Sequence, residues 1–248
     1  MAASPDNELS ITRAEAVAGR RSASAARRWR SSIWTTEVRG RLFVVKDYSA
    51  TCWLYRWTLG RLELAREQRA YAALAGSTFV ARCYGRLDQH ALLLEHLDAR
   101  TMTKAGPDLR PATFERLHEA VAAMHARGVL HNDLRHRSNI LVTAAGDVRL
   151  IDFASALDVR HGWRRWLCRW LAFLDRSAAI KWWLRYDPDG VPASELRWYR
   201  RYLRLRRLWP ARNPSLVQQR VLATREHAVP PLQAKTASSA RKGRSLSA

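Results

Sequence analysis

The sequence predicts an α+β fold in which a small sheet carrying one helix precedes a mainly helical half. Three observations predict it. Strand-length runs between residues 32 and 97 are bounded by turn residues. From Pro111 the apolar positions change to helical spacing. Short apolar runs then follow that helix at Val129–Leu130, Ile140–Val142 and Val148–Ile151.

Residues 1–30 are rich in Ala, Ser and Arg with little periodicity, so a flexible tail with at most a short helix is expected. Ser32–Val38 and Arg41–Tyr48 read as strands joined by a tight turn at Arg39-Gly40. Leu62–Leu74 reads as a helix whose buried face is Leu62, Ala65, Ala70 and Leu74, ended by Gly76. Phe79–Gly85 and Ala91–Leu97 suit two further strands. Pro111 can occupy a first helical turn, and Phe114, Leu117, Val121 and Met124 form an apolar stripe that stops before Gly128. Ala145-Gly146-Asp147 makes a turn, and residues 160–210 are helical, aromatic and basic. Residues 211–248, with seven basic residues, one acid and the helix-breaking Pro230-Pro231, are expected to be a disordered basic tail.

The chain has 248 residues, 47% hydrophobic and 26% charged, which excludes a wholly disordered or collagen-like protein. Its 43 Lys and Arg against 22 Asp and Glu give +21, a balance that favours nucleotide phosphates, acidic lipid or nucleic acid as partners. Arg supplies 38 of the 43, so an arginine-heavy proteome would raise the charge without any such meaning. Cys52, Cys83 and Cys168 are odd in number and widely spaced, so neither a disulfide framework nor a zinc site is expected and a reducing cytoplasm fits. No stretch approaches the length of a membrane span, and acids at Asp6, Glu8 and Glu15 stand where a signal peptide's apolar run would be.

The chemistry concentrates in three segments: Gly128-Val129-Leu130-His131-Asn132-Asp133-Leu134, then Asn139-Ile140-Leu141-Val142, then Ile151-Asp152-Phe153-Ala154. Upstream lie Val44-Val45-Lys46 on a strand and Arg66-Glu67 on a helix. Over residues 31–155 the sequence resembles the protein-kinase-like superfamily, and most of all the short bacterial kinases grouped with RIO-type and lipopolysaccharide-core kinases. The resemblance implies a reduced two-lobe fold, with a small lobe over 31–97 and a larger one over 98–210, and ATP with Mg²⁺ bound between them. It implies transfer of a γ-phosphoryl group to a hydroxyl, a reaction that needs positioning and charge neutralisation more than covalent work. Lys46 then matches the phosphate lysine, Glu67 its ion-pair partner, Asp133 the catalytic-loop aspartate, and Asn139 and Asp152 the metal ligands. Leu92–Leu97 resembles the segment between lobes, so Leu94 would sit behind adenine and main-chain groups at Glu95 and Leu97 would meet its edge. Glu63, one turn before Glu67, is the competing partner for Lys46. His131 is expected to brace the loop, and His125 to be a helix-end residue.

The sequence departs from the family pattern in four ways. No Gly-x-Gly-x-x-Gly precedes Lys46, so phosphate cover would fall to Ser31-Ser32 or Thr35-Thr36. Asp133 and Asn139 are six apart, one more than usual, Ala154 replaces the glycine after Asp-Phe, and no Ala-Pro-Glu follows. The last point weakens a conventional protein substrate. The acceptor expected is a serine or threonine of a protein or, alternatively, a lipopolysaccharide-core sugar at the inner membrane face, and a non-catalytic nucleotide-binding scaffold is a third reading.

Between residues 160 and 210 stand 13 Lys or Arg, four acids and seven of the chain's 11 tryptophans. Trp163, Trp166, Leu167, Trp170, Leu171 and Leu174 form one helical stripe, and Trp198, Tyr202, Leu205 and Trp209 form another beside Arg197, Arg200, Arg201, Arg204 and Arg207. These amphipathic helices would pack on the larger lobe or lie on an anionic membrane. No nucleic-acid fold motif accompanies them, which counts against that partner.

Overall fold

The computed structural model describes residues 11–23, 28–106, 109–160 and 164–206, and falls into two compact units, Met1–Trp182 and Trp183–Ala248. The fold is α+β, with antiparallel strands and several helices.

The larger sheet in the first unit comprises β1 (Arg20–Ala23), β2 (Ser32–Val38), β3 (Arg41–Asp47), β4 (Cys83–Arg86) and β5 (Ala91–Glu95), in the order β1-β2-β3-β5-β4. The β2–β3 hairpin closes through Arg39 and Gly40, both left-handed at φ 53° and 73°, the backbone twist that a two-residue hairpin turn requires. Trp34, Val38, Phe43, Val45, Ala91 and Leu93 form its buried core.

Residues 11–23, expected to belong to a flexible tail, instead form a short helix and strand β1, which pairs with β2 at the sheet's edge. Helix α1 (Arg13–Ala18) opens with a capping box in which Thr12 Oγ1 accepts from the Glu15 N–H and the Glu15 carboxylate accepts from the Thr12 N–H. Ile11 and Ala16 enter the core, Thr36 Oγ1 donates to Ala16 O at 2.6 Å, and β1 pairs with β2. A six-residue helix is too short to announce itself by periodicity, and tertiary contacts hold it.

A short helix α2 (Trp53–Tyr55) runs through a π turn (Arg56–Gly60) into α3 (Arg61–Ala73). Of the expected buried face, Ala70 and Leu74 are buried and Ala65 is half-buried, but the helix is turned so that its first expected member is not. Leu62 is exposed, and the inward residues are Leu64, Glu67, Ala70, Tyr71 and Leu74. The rotation turns a carboxylate inward, a choice that apolar periodicity cannot register.

A second sheet contains β6 (Ala99–Thr101), β8 (Ile140–Thr143) and β9 (Val148–Leu150), and a two-stranded pair joins β7 (Val129–Leu130) to β10 (Leu157–Asp158). Helix α4 (Met102–Ala105) follows β6. Helix α5 (Pro111–Ala126) buries the expected stripe of Phe114, Leu117, Val121 and Met124, and Gly128 is left-handed at φ 69°.

Helix α6 (Arg164–Tyr186) passes from the first unit into the second, which also holds α7 (Ala193–Arg206). The apolar row expected on α7 is not the buried one: Leu196, Tyr199 and Leu203 are buried, Trp198 and Tyr202 are half-buried and stacked, and Leu205 is exposed. Spacing of three and four is satisfied by either row, and Tyr199 is the aromatic residue of the buried one. On α6, Trp166 is exposed and Leu171 and Leu174 are half-buried. Trp163, Trp209, Arg207, the tail 211–248 and the side chains of Leu167 and Trp170 lie outside the described residues. No described helix is long and apolar enough to cross a membrane.

Gly19, between α1 and β1, approaches the sheet so closely that a Cβ there would overlap the Glu37 carbonyl. Gly19→Ala is expected to cost about 1–3 kcal/mol through this overpacking. The measurement is a melting curve, and an unchanged midpoint would show that α1 is not seated as described.

Candidate functional site

The site is built around one buried lysine. Lys46 is in β3, the sheet's central strand, between Ile33 of β2 and Leu92 of β5. Its ammonium lies 2.7 Å from Glu67 Oε2 on α3 and donates to Asp152 Oδ1 at 2.6 Å. The Lys46 and Glu67 side chains are 7% and 1% accessible and that of Asp152 is 36%, so Asp152 forms the open side of the triad. Glu63, the competing carboxylate, accepts instead from the Tyr48 and Tyr55 hydroxyls at 2.9 and 2.8 Å.

Burial by itself would strip the charge from all three groups. For Lys46, burial lowers the pKa, but Glu67 and Asp152 outweigh it and hold the value well above that of a free lysine. For Asp152, burial raises the pKa, and Lys46 outweighs it to leave the carboxyl below its ordinary range. For Glu67 burial wins over Lys46, and its pKa is raised. Lys46 is thus paired with both carboxylates, and Glu67, the more deeply buried of the two, is the one most dependent on the lysine.

Asp133 and Asn139 come from the loop between β7 and β8. Asn132 enters it in the left-handed region at φ 63°. Asp175 of α6, buried, holds that turn: its two oxygens accept from the His131 and Asn132 N–H groups at 2.8 Å each, and His125 Nε2 lies 3.1 Å from Oδ2. Trp182 Nε1 donates to Leu134 O at 2.8 Å. His131 Nε2 lies 2.9 Å from Ile151 O; a carbonyl can only accept, so this nitrogen carries the proton. The ring packs on Phe153, 4.7 Å between centroids.

Asn139 Nδ2 donates to the Asp133 carbonyl at 3.1 Å and to Asp133 Oδ2 at 2.9 Å, which fixes the amide's orientation. The Ile151 N–H donates to Asn139 O at 3.0 Å, which ties Asn139 to the residue before Asp152. Asp152 is itself left-handed at φ 65°. His136, exposed, brings Nδ1 to 2.6 Å from Asp133 Oδ1.

At the end of β5, Leu94 is buried. The Glu95 N–H donates to Arg82 O at 2.8 Å, the Glu95 carboxylate accepts from the Arg82 N–H, and the Leu97 carbonyl accepts from the Ala99 N–H. Three of the four hydroxyls suggested as phosphate cover are engaged elsewhere: Ser32 donates to Asp47 O, Thr36 to Ala16 O, and Thr35 pairs with Ser22.

Among the described residues, no group of three or more His, Cys, Asp or Glu is placed to hold a metal ion. The donor set offered by Asp152 and Asn139 is a carboxylate and an amide oxygen. These are hard oxygens, few in number, and they fit Mg²⁺, which keeps most of its waters.

No family model matches the chain. It is 32% identical over 124 residues to a curated protein, the probable SapB synthase of Streptomyces coelicolor. The matched stretch covers 41% of this chain and 13% of that protein.

Lys46, Glu67, Asp133, Asn139 and Asp152 thus fall in one connected set of contacts. Two of its members were missed in the sequence. Asp175 lies far along the chain in a helix dominated by Trp and Arg, and its signal was only that a lone acid interrupts the segment. His136 had no signal beyond its place three residues after Asp133, which becomes meaningful once the loop's turn is known.

Lys46→Met should cost about 3–5 kcal/mol, because it leaves Glu67 buried without its cation. The loss is expected to grow with pH. Without Lys46, the Glu67 pKa rises further above its unfolded value, so stability is retained below the unfolded pKa and lost as pH rises through the folded one. Denaturant midpoints at acid and at neutral pH check this, and a deficit independent of pH would contradict it. Asp175→Ala should cost about 1–3 kcal/mol for each backbone N–H it orphans. Amide exchange at His131 and Asn132 should accelerate together in that variant, and protection left intact at both would count against the clamp.

Proposed function

We propose that this chain is an ATP-dependent phosphotransferase of the protein-kinase-like superfamily, an atypical RIO-like kinase with an alcohol as acceptor. The observation that carries the reading is the Lys46 ammonium held between Glu67 and Asp152, with Asp133 and Asn139 hydrogen-bonded to each other beside the same segment. Phosphoryl transfer asks for this arrangement: a fixed cation for the phosphates, a carboxylate facing the metal, and a second carboxylate near the acceptor.

In this reading the acceptor oxygen attacks the γ-phosphorus, a new P–O bond forms, and the bond to the β-phosphate's bridging oxygen breaks to release ADP. The acceptor's proton passes to Asp133, whose oxygens are oriented by Asn139 and His136. Lys46 neutralises the phosphate oxygens and Glu67 keeps the lysine from swinging away. Asp152 and Asn139 would hold Mg²⁺, which when bound offsets the charge of the phosphates. Leu94 backs the adenine, and with the Glu95 N–H and the Leu97 carbonyl already engaged, the Leu97 N–H is the donor we assign to its edge.

A protein serine or threonine is the first acceptor. A lipopolysaccharide-core sugar at the cytoplasmic face of the membrane is the second, favoured by the exposed Arg197, Arg201 and Arg204 of α7, a cationic row suited to anionic lipid. Radiolabelled γ-phosphate transfer into separated protein and lipid fractions of a bacterial lysate distinguishes them.

Asp152→Ala should reduce Mg²⁺-dependent ATP turnover by at least ~10³-fold, the scale expected when developing charge loses its partner. Activity near that of the wild type would remove the metal assignment. A nucleotide-dependent rise in the wild type's melting temperature with no turnover would replace the enzyme with a binding scaffold.

A further inference from the structure

Single exposed apolar side chains are ordinary, whereas contiguous ones mark a surface that meets something. Between residues 53 and 62 the chain exposes Trp53, Leu54, Trp57, Leu59 and Leu62, with Trp53 69% and Leu54 and Leu59 52% and 53% accessible. The outward direction of this face is fixed by what lies beneath it. Gly60 approaches the Tyr48 ring so closely that a Cβ would sit 3.1 Å from it. Tyr55 stacks on Tyr48 and donates its hydroxyl to Glu63. The segment cannot roll its apolar residues inward without breaking these contacts.

A second stretch of chain adds to the same face. The Cys52 N–H donates to Arg28 O at 3.0 Å, and Trp29, exposed, meets the Tyr55 ring edge-on at 6.1 Å. Arg28 lies over Trp29 and Arg61 over Trp57, at 5.5 and 5.3 Å from the ring centroids. The acids nearby are engaged: Glu63 holds two tyrosine hydroxyls, and Asp47 and Asp88 are paired with Arg13. Its exposed side chains include aromatic rings and the guanidinium groups of Arg28 and Arg61. A second copy of a chain carrying +21 would meet the same positive surface, whereas an anionic lipid surface complements it: indole rings settle at the headgroup level and guanidinium groups pair with phosphates.

We propose that the face formed by Trp29, Trp53, Leu54 and Leu59 with Arg28 and Arg61 attaches the protein to an anionic lipid surface. Attachment here needs no nucleotide and no turnover, so it stands apart from the phosphotransferase reading. The test is sedimentation of the full-length chain with phosphatidylcholine vesicles containing phosphatidylglycerol, compared with pure phosphatidylcholine, in physiological salt. The wild type should bind the anionic vesicles. Trp53→Ser with Leu54→Ser and Leu59→Ser, and separately Arg28→Glu with Arg61→Glu, should each lower the partition coefficient by at least about threefold. Melting curves check folding, and should the triple variant fail to fold, the arginine pair decides. Failure of the wild type to bind, a smaller fall in a folded variant, or loss of self-association in place of vesicle binding each overturns the proposal.

Discussion

The Lys46 ammonium meets Glu67 and Asp152 at 2.7 and 2.6 Å with almost no solvent around it, and three separate stretches of chain must be in place before that contact exists. The central strand brings the cation, α3 brings one carboxylate, and the turn after β9 brings the other. A buried charge that lost its partners would cost several kcal/mol, so each element constrains the other two. The rotation of α3 follows from this. Leu62 is left in solvent and Glu67 is buried, because one carboxylate opposite the lysine outweighs one leucine on the surface.

The same logic extends to the backbone. Asn132 and Asp152 both adopt the left-handed conformation, which Asn and Asp enter more readily than other non-glycine residues and which local contacts here hold in place. Each has such an anchor. The Asn132 N–H is bound by buried Asp175, and the Asp152 carboxylate is bound by Lys46. Asp175 is the less conspicuous of the two anchors. By accepting from successive N–H groups it fixes where Asp133 begins, and Asn139 and Ile151 then carry that position across to Asp152.

Much of this was legible in the sequence wherever one residue type has one use. The Arg39-Gly40 hairpin, the α5 stripe and Gly128 follow from turn chemistry and periodicity. Lys46, Glu67, Asp133, Asn139 and Asp152 were singled out in the sequence by a resemblance, and in the structure Lys46, Glu67 and Asp152 meet, Asp133 and Asn139 meet, and the Ile151 N–H ties the two groups together. What could not be read depends on tertiary partners. The helix at 13–18 is held by Thr36 and the core more than by propensity, the inward turn of α3 is set by a charge, and Tyr199 displaced the expected row on α7. The outward facing of the aromatics at 53–62 likewise depends on a tertiary contact, the Gly60–Tyr48 approach beneath them.

Lys46 is met by two carboxylates, Glu67 and Asp152, within a chain of net charge +21. The protein's wider positive field would draw a polyanionic nucleotide toward the surface. At the site itself Lys46 is already compensated, so the triad offers no surplus positive charge to several phosphate oxygens. Nucleotide binding on the proposed reading therefore depends on a divalent cation at Asp152 and Asn139, whose charge would free part of the lysine's field for the phosphates. On that reading the lysine, glutamate and aspartate would act as one unit, their charges closed on one another until Asp152 is engaged by the metal.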